Sequence, residues 1–209
     1  MLPAQEITTL TGKINMKVLI VAEFSGTVRE AFRNRCHDAF SNDLLPSDDG
    51  SPYHLQEDCI DAIRSDTWDI IGMHLPCTAL AVSGNSTYGR GMPKHHARLE
   101  SIDWTMAVWN LATTVCDRVY LENPVGVLPM KASQYVQPWM FGHPESKKTG
   151  LWLHGLSPLE ETDNVKEQFD NLPKNQQQRL HYLPPSEDRW KIRSKTFTGI
   201  ANAMATQWG

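Results

Sequence analysis

Lys17-Val18-Leu19-Ile20-Val21-Ala22-Glu23-Phe24-Ser25-Gly26-Thr27-Val28 decides how the chain is read. Val18 to Ala22 is an unbroken β-branched and aliphatic run, the pattern of a strand buried on both faces of a sheet. The run stops at a polar turn containing Gly26. Val28, Ala31, Phe32 and Cys36 then recur at helical spacing, with Arg29, Glu30, Arg33 and Asn34 on the other side. Ser25 or Thr27 is the expected cap of that helix. Strand, tight glycine turn and helix open a nucleotide-binding βαβ unit. The fold class expected is therefore α/β, with a doubly wound, mostly parallel, Rossmann-like sheet.

Downstream the alternation repeats. Asp38 to Asp43 reads as a second strand ending in an acid, and Asp43 falls 17 residues after Gly26. That is about where such folds place the carboxylate that takes a ribose hydroxyl pair. Residues 46–52 are a loop, and Cys59 to Ile63 is a short amphipathic piece. The apolar run Trp68-Asp69-Ile70-Ile71 feeds into His74-Leu75-Pro76-Cys77, and a polar loop from Ser83 to Gly91, expected to be flexible, follows. Pro93 opens a helix to about Val115, with one stripe of Ile102, Met106 and Trp109 and another of Trp104, Val108, Leu111 and Val115. Arg118 to Leu121 is the next strand, ending in Glu122-Asn123-Pro124. Patterning then weakens. Leu151 to Leu153 is strand-like, and Phe197, Ile200, Ala201, Met204 and Trp208 make a closing amphipathic helix. The expected division is a flexible extension over 1–15 and a core over 16–156. A polar irregular insertion over 157–190 and a segment with a helix over 191–209 complete it.

A chain of 209 residues, 40% hydrophobic and 21% charged, suits one α/β domain. A net charge of −4 argues against generic polyanion binding while leaving room for a local basic face. The cysteines Cys36, Cys59, Cys77 and Cys116 are widely spaced with no C-x-x-C pair, so no metal site is expected. No signal peptide or membrane span is read, and a cytoplasmic setting with reduced thiols fits best. Cys36, Cys59 and Cys116 lie on helix or strand patterns and read as packing residues. His74, on an apolar run, reads as a satisfied core histidine, and His95 and His96 as solvated. Trp139, Phe141 and Trp152 read as core.

Three strand-end loops carry chemistry: Phe24-Ser25-Gly26, Pro76-Cys77 and Glu122-Asn123-Pro124. In an α/β sheet such ends share one edge, so a thiol and a carboxylate distant in sequence can meet. Taken singly, Cys77 is a small core residue and Glu122 the cap of a turn. Taken together they suit pyrimidine carbon-5 chemistry. That ring is unreactive at carbon 5 until a nucleophile adds at carbon 6, and an acid bonded to ring N3 and the exocyclic amine stabilises the adduct.

At this point the chain resembles the DNA cytosine-5 methyltransferases, in particular the short methylase-like proteins of phage genomes. The likeness runs in family order along most of 16–209. Phe24-Ser25-Gly26 is similar to the cofactor loop, and Asp43 and Asp58 stand where the family's ribose and adenine acids fall. Pro76-Cys77 is similar to the nucleophile motif, Glu122-Asn123 to the Glu-Asn motif, and Ser194 through Trp208 to the last helix. The resemblance implies a class I methyltransferase core and S-adenosylmethionine as donor. It further implies a flipped-out cytosine, attack by Cys77 and assistance from Glu122. Phe24, Ser25, Gly26, Asp43, Asp58 and Pro76 would contact the cofactor. Asn123, Ser83, Arg90, Lys148 and Arg193 would contact the substrate, with Lys147, Arg189 and Lys191 as further sources of positive charge. Three positions depart from the family's pattern: Val28 stands where a second glycine is usual, Leu75 where a proline is common, and Pro124 follows the Glu-Asn pair. Only the polar stretch 157–190 occupies the place of a target-recognition domain. DNA is the expected partner. The alternatives are a free pyrimidine nucleotide, or a non-catalytic relative that binds nucleic acid, cofactor or a host protein.

Overall fold

The structure, a computed structural model, describes residues 15–209; the extension expected over 1–15 lies outside them apart from Asn15. In chain order, β1 (Lys17–Val21) leads to α1 (Thr27–Arg33), β2 (Asp38–Asn42), β3 (His54–Leu55) and α2 (Cys59–Arg64). Next come β4 (Ile70–Met73), a 3₁₀ turn (Val82–Gly84), α3 (Asn85–Tyr88), α4 (His95–Val115) and β5 (Val119–Pro124). Then follow β6 (Gln134–Val136), β7 (Thr149–His154), α5 (Lys166–Asn171), α6 (Lys174–Gln177), α7 (Arg179–Tyr182), α8 (Arg189–Ser194) and α9 (Thr198–Gln207). The strands form one sheet in the order β3-β2-β1-β4-β5-β7-β6. The first five are mutually parallel, and β7 pairs antiparallel with both β5 and β6. This is the doubly wound, mostly parallel, Rossmann-like α/β core that the opening stretch predicts.

Strand alternation divides the interior. Val18, Ile20, Ile70, Tyr120 and Leu151 face α1 and α9, with Phe32, Met204 and Trp208 packed among them. Leu19, Val21, Ile71, Met73, Val119 and Leu121 face the other way, toward Ala62 and Ile63 of α2 and Val108 and Ala112 of α4. Period two in each strand puts successive residues in opposite layers. Strand order reverses between β1 and β4, and in open α/β sheets ligands bind at the carboxyl edge beside such a reversal.

Several expectations change on contact with the structure. The segment 157–190 is not irregular: α5, α6, α7 and the start of α8 lie in it, each a few residues long, with little beyond Leu159 and Leu180 buried. The loop after Cys77 is built rather than flexible. Its 3₁₀ turn and α3 are gripped by the buried Arg98, which donates to Ala79 O (2.7 Å), Ala81 O (3.2 Å) and Asn85 Oδ1 (2.8 Å). On α4 the fully buried line is Arg98, Thr105, Val108 and Ala112, while Trp104 and Val115 are exposed. Cys36 is exposed, unlike the buried Cys59 and Cys116, because α1 ends at Arg33 and Cys36 turns at φ 69°.

Candidate functional site

The carboxyl ends of β1, β2, β4 and β5 carry, in turn, Glu23 to Gly26, Asp43, His74 to Cys77, and Glu122 with Asn123. Parallel pairing of neighbouring strands puts all of them on one edge. The three strand-end loops singled out in the sequence are thus neighbours in space.

At the end of β1, Ala22 takes φ 55° and Gly26 φ 67°. A left-handed alanine is an uncommon conformation, of the kind that concentrates at functional sites. Neither Ser25 nor Thr27 caps α1. The cap comes from Glu23, whose Oε1 accepts from the Val28 N–H at 2.6 Å and Oε2 from the Arg29 N–H at 3.2 Å. Glu23 is 4% exposed. Burial pushes its carboxyl up to about 7, although the two N–H groups and the Arg29 charge favour the ionised form.

Arg29 does not face solvent as the helical spacing predicts; its side chain is wholly buried. It donates to Ser41 Oγ (2.8 Å), to Glu30 (2.9 Å) and to Asp49. A Cβ on Gly26 would strike this guanidinium, so Gly26 makes room for Arg29. Val28 turns into the core between α1 and the sheet. Phe24 is buried, with its ring 5.4 Å from Trp190 of α8, and its carbonyl accepts from the Asp48 N–H at 2.9 Å.

Asp43 lies just past β2, with one oxygen accepting from Leu45 N at 3.0 Å. Asp58 is exposed and caps α2 through Ile60 N at 2.8 Å. Both acids stand on the carboxyl side of the sheet, and Asp58 already has a structural task there.

Cys77 is half-buried. Burial pushes its thiol up, the Glu122 charge pushes it further, and Lys147 and Arg193 act against both. Cys77 and Glu122, 45 residues apart by number, therefore lie within electrostatic reach of each other, with two cations beside them. The backbones of their two loops are laced together. Val82 N donates to Val125 O (3.1 Å), Val127 N donates to Leu80 O (3.1 Å), and Ala81 bridges Gly126. Asn123 is fully buried; its Nδ2 reaches Leu75 O at 3.4 Å and its Oδ1 has no partner.

Of the cations read as substrate contacts, Lys148 is not at Glu122. Along β7 and the residue pair before it, alternate side chains take opposite faces. Lys147, Thr149 and Leu151 therefore line a cleft with Glu122 and Thr196, whereas Lys148 sits 4.7 Å over the Tyr135 ring. Lys147 Nζ donates to the carbonyls of Lys195 (3.0 Å) and Ser194 (3.4 Å), which ties α8 to the site. Arg193 is exposed on α8, and its charge reaches Cys77. Pro76, Ser83 and Arg90 are exposed beside or beyond Cys77.

His74, read from sequence as a core histidine, belongs to the site as well. Its Nε2 is 3.0 Å from Tyr120 Oη, its Nδ1 3.4 Å from Thr196 Oγ1 and 3.8 Å from Glu122 Oε2. Burial lowers its pKa, against the pull of Glu122. Gly72, a glycine inside an apolar strand, was the one sequence signal of close approach here: a Cβ on it would collide with the Tyr120 ring. No group of three or more metal-ligating side chains occurs among the described residues, and no described helix is long and apolar enough to cross a membrane.

Neither a protein-family model nor a curated protein sequence matches the chain. Among solved structures it is similar to the crystal structure of the S. pombe Dnmt2 methyltransferase, with a TM-score of 0.46 at 13% sequence identity. The likeness covers 86% of this chain and 62% of that one, so the chain spans less than two thirds of the neighbour's length.

Proposed function

We propose that this protein transfers a methyl group from S-adenosylmethionine to carbon 5 of cytosine in DNA, with Cys77 as nucleophile and Glu122 as its acid partner. What supports the proposal is that Cys77 and Glu122 stand at the carboxyl ends of the adjacent parallel strands β4 and β5, where the Glu122 charge acts on the Cys77 thiol and those of Lys147 and Arg193 oppose it.

The donor is a sulfonium cation with a ribose diol, and the acidic residues Asp43, Asp48, Asp49 and Asp58 around the ends of β1 and β2 suit its charge. Asp43 would hold the ribose hydroxyls and Asp58 the adenine amine, with Phe24, Ser25, Gly26 and Pro76 along the cofactor's path. When bound, the cofactor supplies an electrophilic methyl group. The N–H groups of Val28 and Arg29 belong to Glu23, so they do not receive the donor's carboxylate.

The remaining steps belong to the chain's own side chains. The Cys77 thiol would give its proton to solvent and its sulfur add to carbon 6; once carbon 5 carries the new methyl group, loss of the carbon-5 proton to solvent breaks the S–C6 bond and frees Cys77 as thiolate. Glu122 bonds ring N3 and the amine as negative charge shifts onto the ring. Asn123 would act from behind Glu122, its Nδ2 on Leu75 O and its Oδ1 buried without a partner. Arg193, Ser83 and Arg90, all exposed, would meet phosphates, and Lys147 would join them in place of Lys148. A thiol held above its usual pKa stays protonated and unreactive at neutral pH until substrate arrives.

The protein is incubated with labelled S-adenosylmethionine and either DNA or dCMP, beside a Cys77→Ala control. Label in DNA and none in the control is expected. Label in dCMP alone would move the substrate to the free nucleotide. Absence of label in both, with no cofactor binding by calorimetry, would end the methyltransferase reading. DNA carrying 5-fluorocytosine should crosslink to the native protein, and a crosslink that persists in Cys77→Ala removes Cys77 as nucleophile.

A further inference from the structure

Beneath Glu122, between the sheet and α9, runs a line of buried polar side chains that the proposed chemistry leaves without a task. Glu122, Tyr120, Gly72 and His74 all project from the α9 side of β5 and β4, because residues two apart in a strand share a face. Tyr120 is fully buried. The Trp208 ring lies 5.1 Å from its own, and Gly72 is the strand residue opposite it. Any side chain at Gly72 would push the phenol away. The ring thus has one position, and in that position its oxygen meets His74 Nε2 at 3.0 Å.

We propose that Tyr120 fixes the tautomer of His74, and that His74 is the positioning residue that orients the Glu122 carboxylate. The inference rests on the methyl-transfer reading of the same site.

The donor and acceptor inventory decides the tautomer. A neutral imidazole has one N–H and one bare nitrogen. Its Nδ1 faces the Glu122 carboxylate, which only accepts, and the Thr196 hydroxyl. A bare Nδ1 opposite a carboxylate would set lone pair against negative charge in a poorly solvated place. With Nδ1–H toward Glu122, Nε2 is bare and accepts from the Tyr120 O–H. Tyrosine, histidine and carboxylate then point in one direction, each fixing the next, by the same logic that lets a buried partner set a catalytic imidazole. At 3.8 Å the last contact is longer than a hydrogen bond. It acts as an oriented charge contact that shortens when a base displaces solvent from Glu122. The other charges that act on this line are Lys147 at His74 and Glu23 at Tyr120.

Two measurements on the full chain test this. Nitrogen-15 imidazole spectra should show His74 with its proton on Nδ1. Tyr120→Phe should give a tautomer mixture, and Glu122→Gln should move the Nδ1 proton resonance. A wild-type proton on Nε2, or a resonance indifferent to Glu122→Gln, overturns the proposal whether or not the protein transfers methyl groups. In the labelled-transfer assay, His74→Ala should lower kcat about 100-fold with KM nearly unchanged. His74→Asn puts an amide donor at the place of Nδ1 and should recover most of that loss, whereas His74→Gln should not. A kcat unchanged in His74→Ala, or equal losses in all three variants, overturns the positioning role. A wild type that transfers no label to either substrate ends the functional reading, while the spectra still decide the tautomer. Should His74→Ala fail to fold, Tyr120→Phe carries both readouts.

Discussion

Glu23 shows how much one side chain can alter at this edge. Its carboxylate caps α1, acts electrostatically on Tyr120 and takes the N–H groups that a ligand anion would use. With a folded pKa of about 7 against 4.5 for the free side chain, the native state keeps a proton that the unfolded chain releases. Stability therefore falls as pH rises from 4.5 through 7, by about 3 kcal/mol for a shift of this size. His74 slopes the other way: burial lowers its pKa, so its contribution is lost as pH falls below 6.5. Comparing wild type with Glu23→Gln cancels the histidine. Urea denaturation at pH 5, 6.5 and 8 should show the variant gaining on wild type at each step, and parallel curves would refute the assignment. Little of this was legible in the sequence. Ser25 and Thr27 are better caps by type, and Arg29 lies on the polar side of the helical pattern. What displaces them is an acid five residues before Val28, and a guanidinium accommodated by Gly26, Ser41 and Asp49.

Elements marked by an unbroken apolar run were legible, and those held in place by distant partners were not. Val18 to Val21 and Ile70 to Met73 announce themselves through unbroken apolar runs. β3, β6 and α8 span too few residues to leave a period. Lys147 and Lys148 could be told apart only once the start of β7 was known, because a shift of one residue exchanges the two faces. The loop after Cys77 read as flexible from its serine, glycine and asparagine content, and the side chain that orders it, Arg98, sits on α4. Arg98→Ala would leave three acceptors without their donor, at a cost of about 2–4 kcal/mol. Limited proteolysis should then cut within residues 78–92 of the variant while sparing wild type. An unchanged digestion pattern would show that the loop holds its shape without Arg98.

For the molecule as a whole, topology brings the candidate residues together. The order β3-β2-β1-β4-β5 puts Phe24 to Gly26, Cys77 and Glu122 at the ends of adjacent strands although they are spread over about a hundred positions. Alternation of strand and helix made that much predictable. The antiparallel ending with β7 and β6 depended on contacts that no local pattern records, and so did the seat of α9 over Tyr120, although a closing helix completing the core was expected. Trp208 secures that return: it is 2% exposed, packs on Tyr120, and its Nε1 donates to Ser157 O at 2.9 Å. Trp208→Ala should cost about 3–5 kcal/mol and release the phenol, read as a lowered melting temperature together with altered tyrosine fluorescence. A melting temperature within a degree of wild type would deny α9 this role. The lacing of Leu80 and Val82 to Val125 and Val127 has a separate consequence, reinforced at Gly126, where a Cβ would come within 2.7 Å of Leu80 O. The two loops form a single frame, which fixes the spacing of the backbones that carry Cys77 and Glu122. In the proposed reaction, the entropy of aligning thiol and carboxylate would thereby be lost during folding, before any substrate binds.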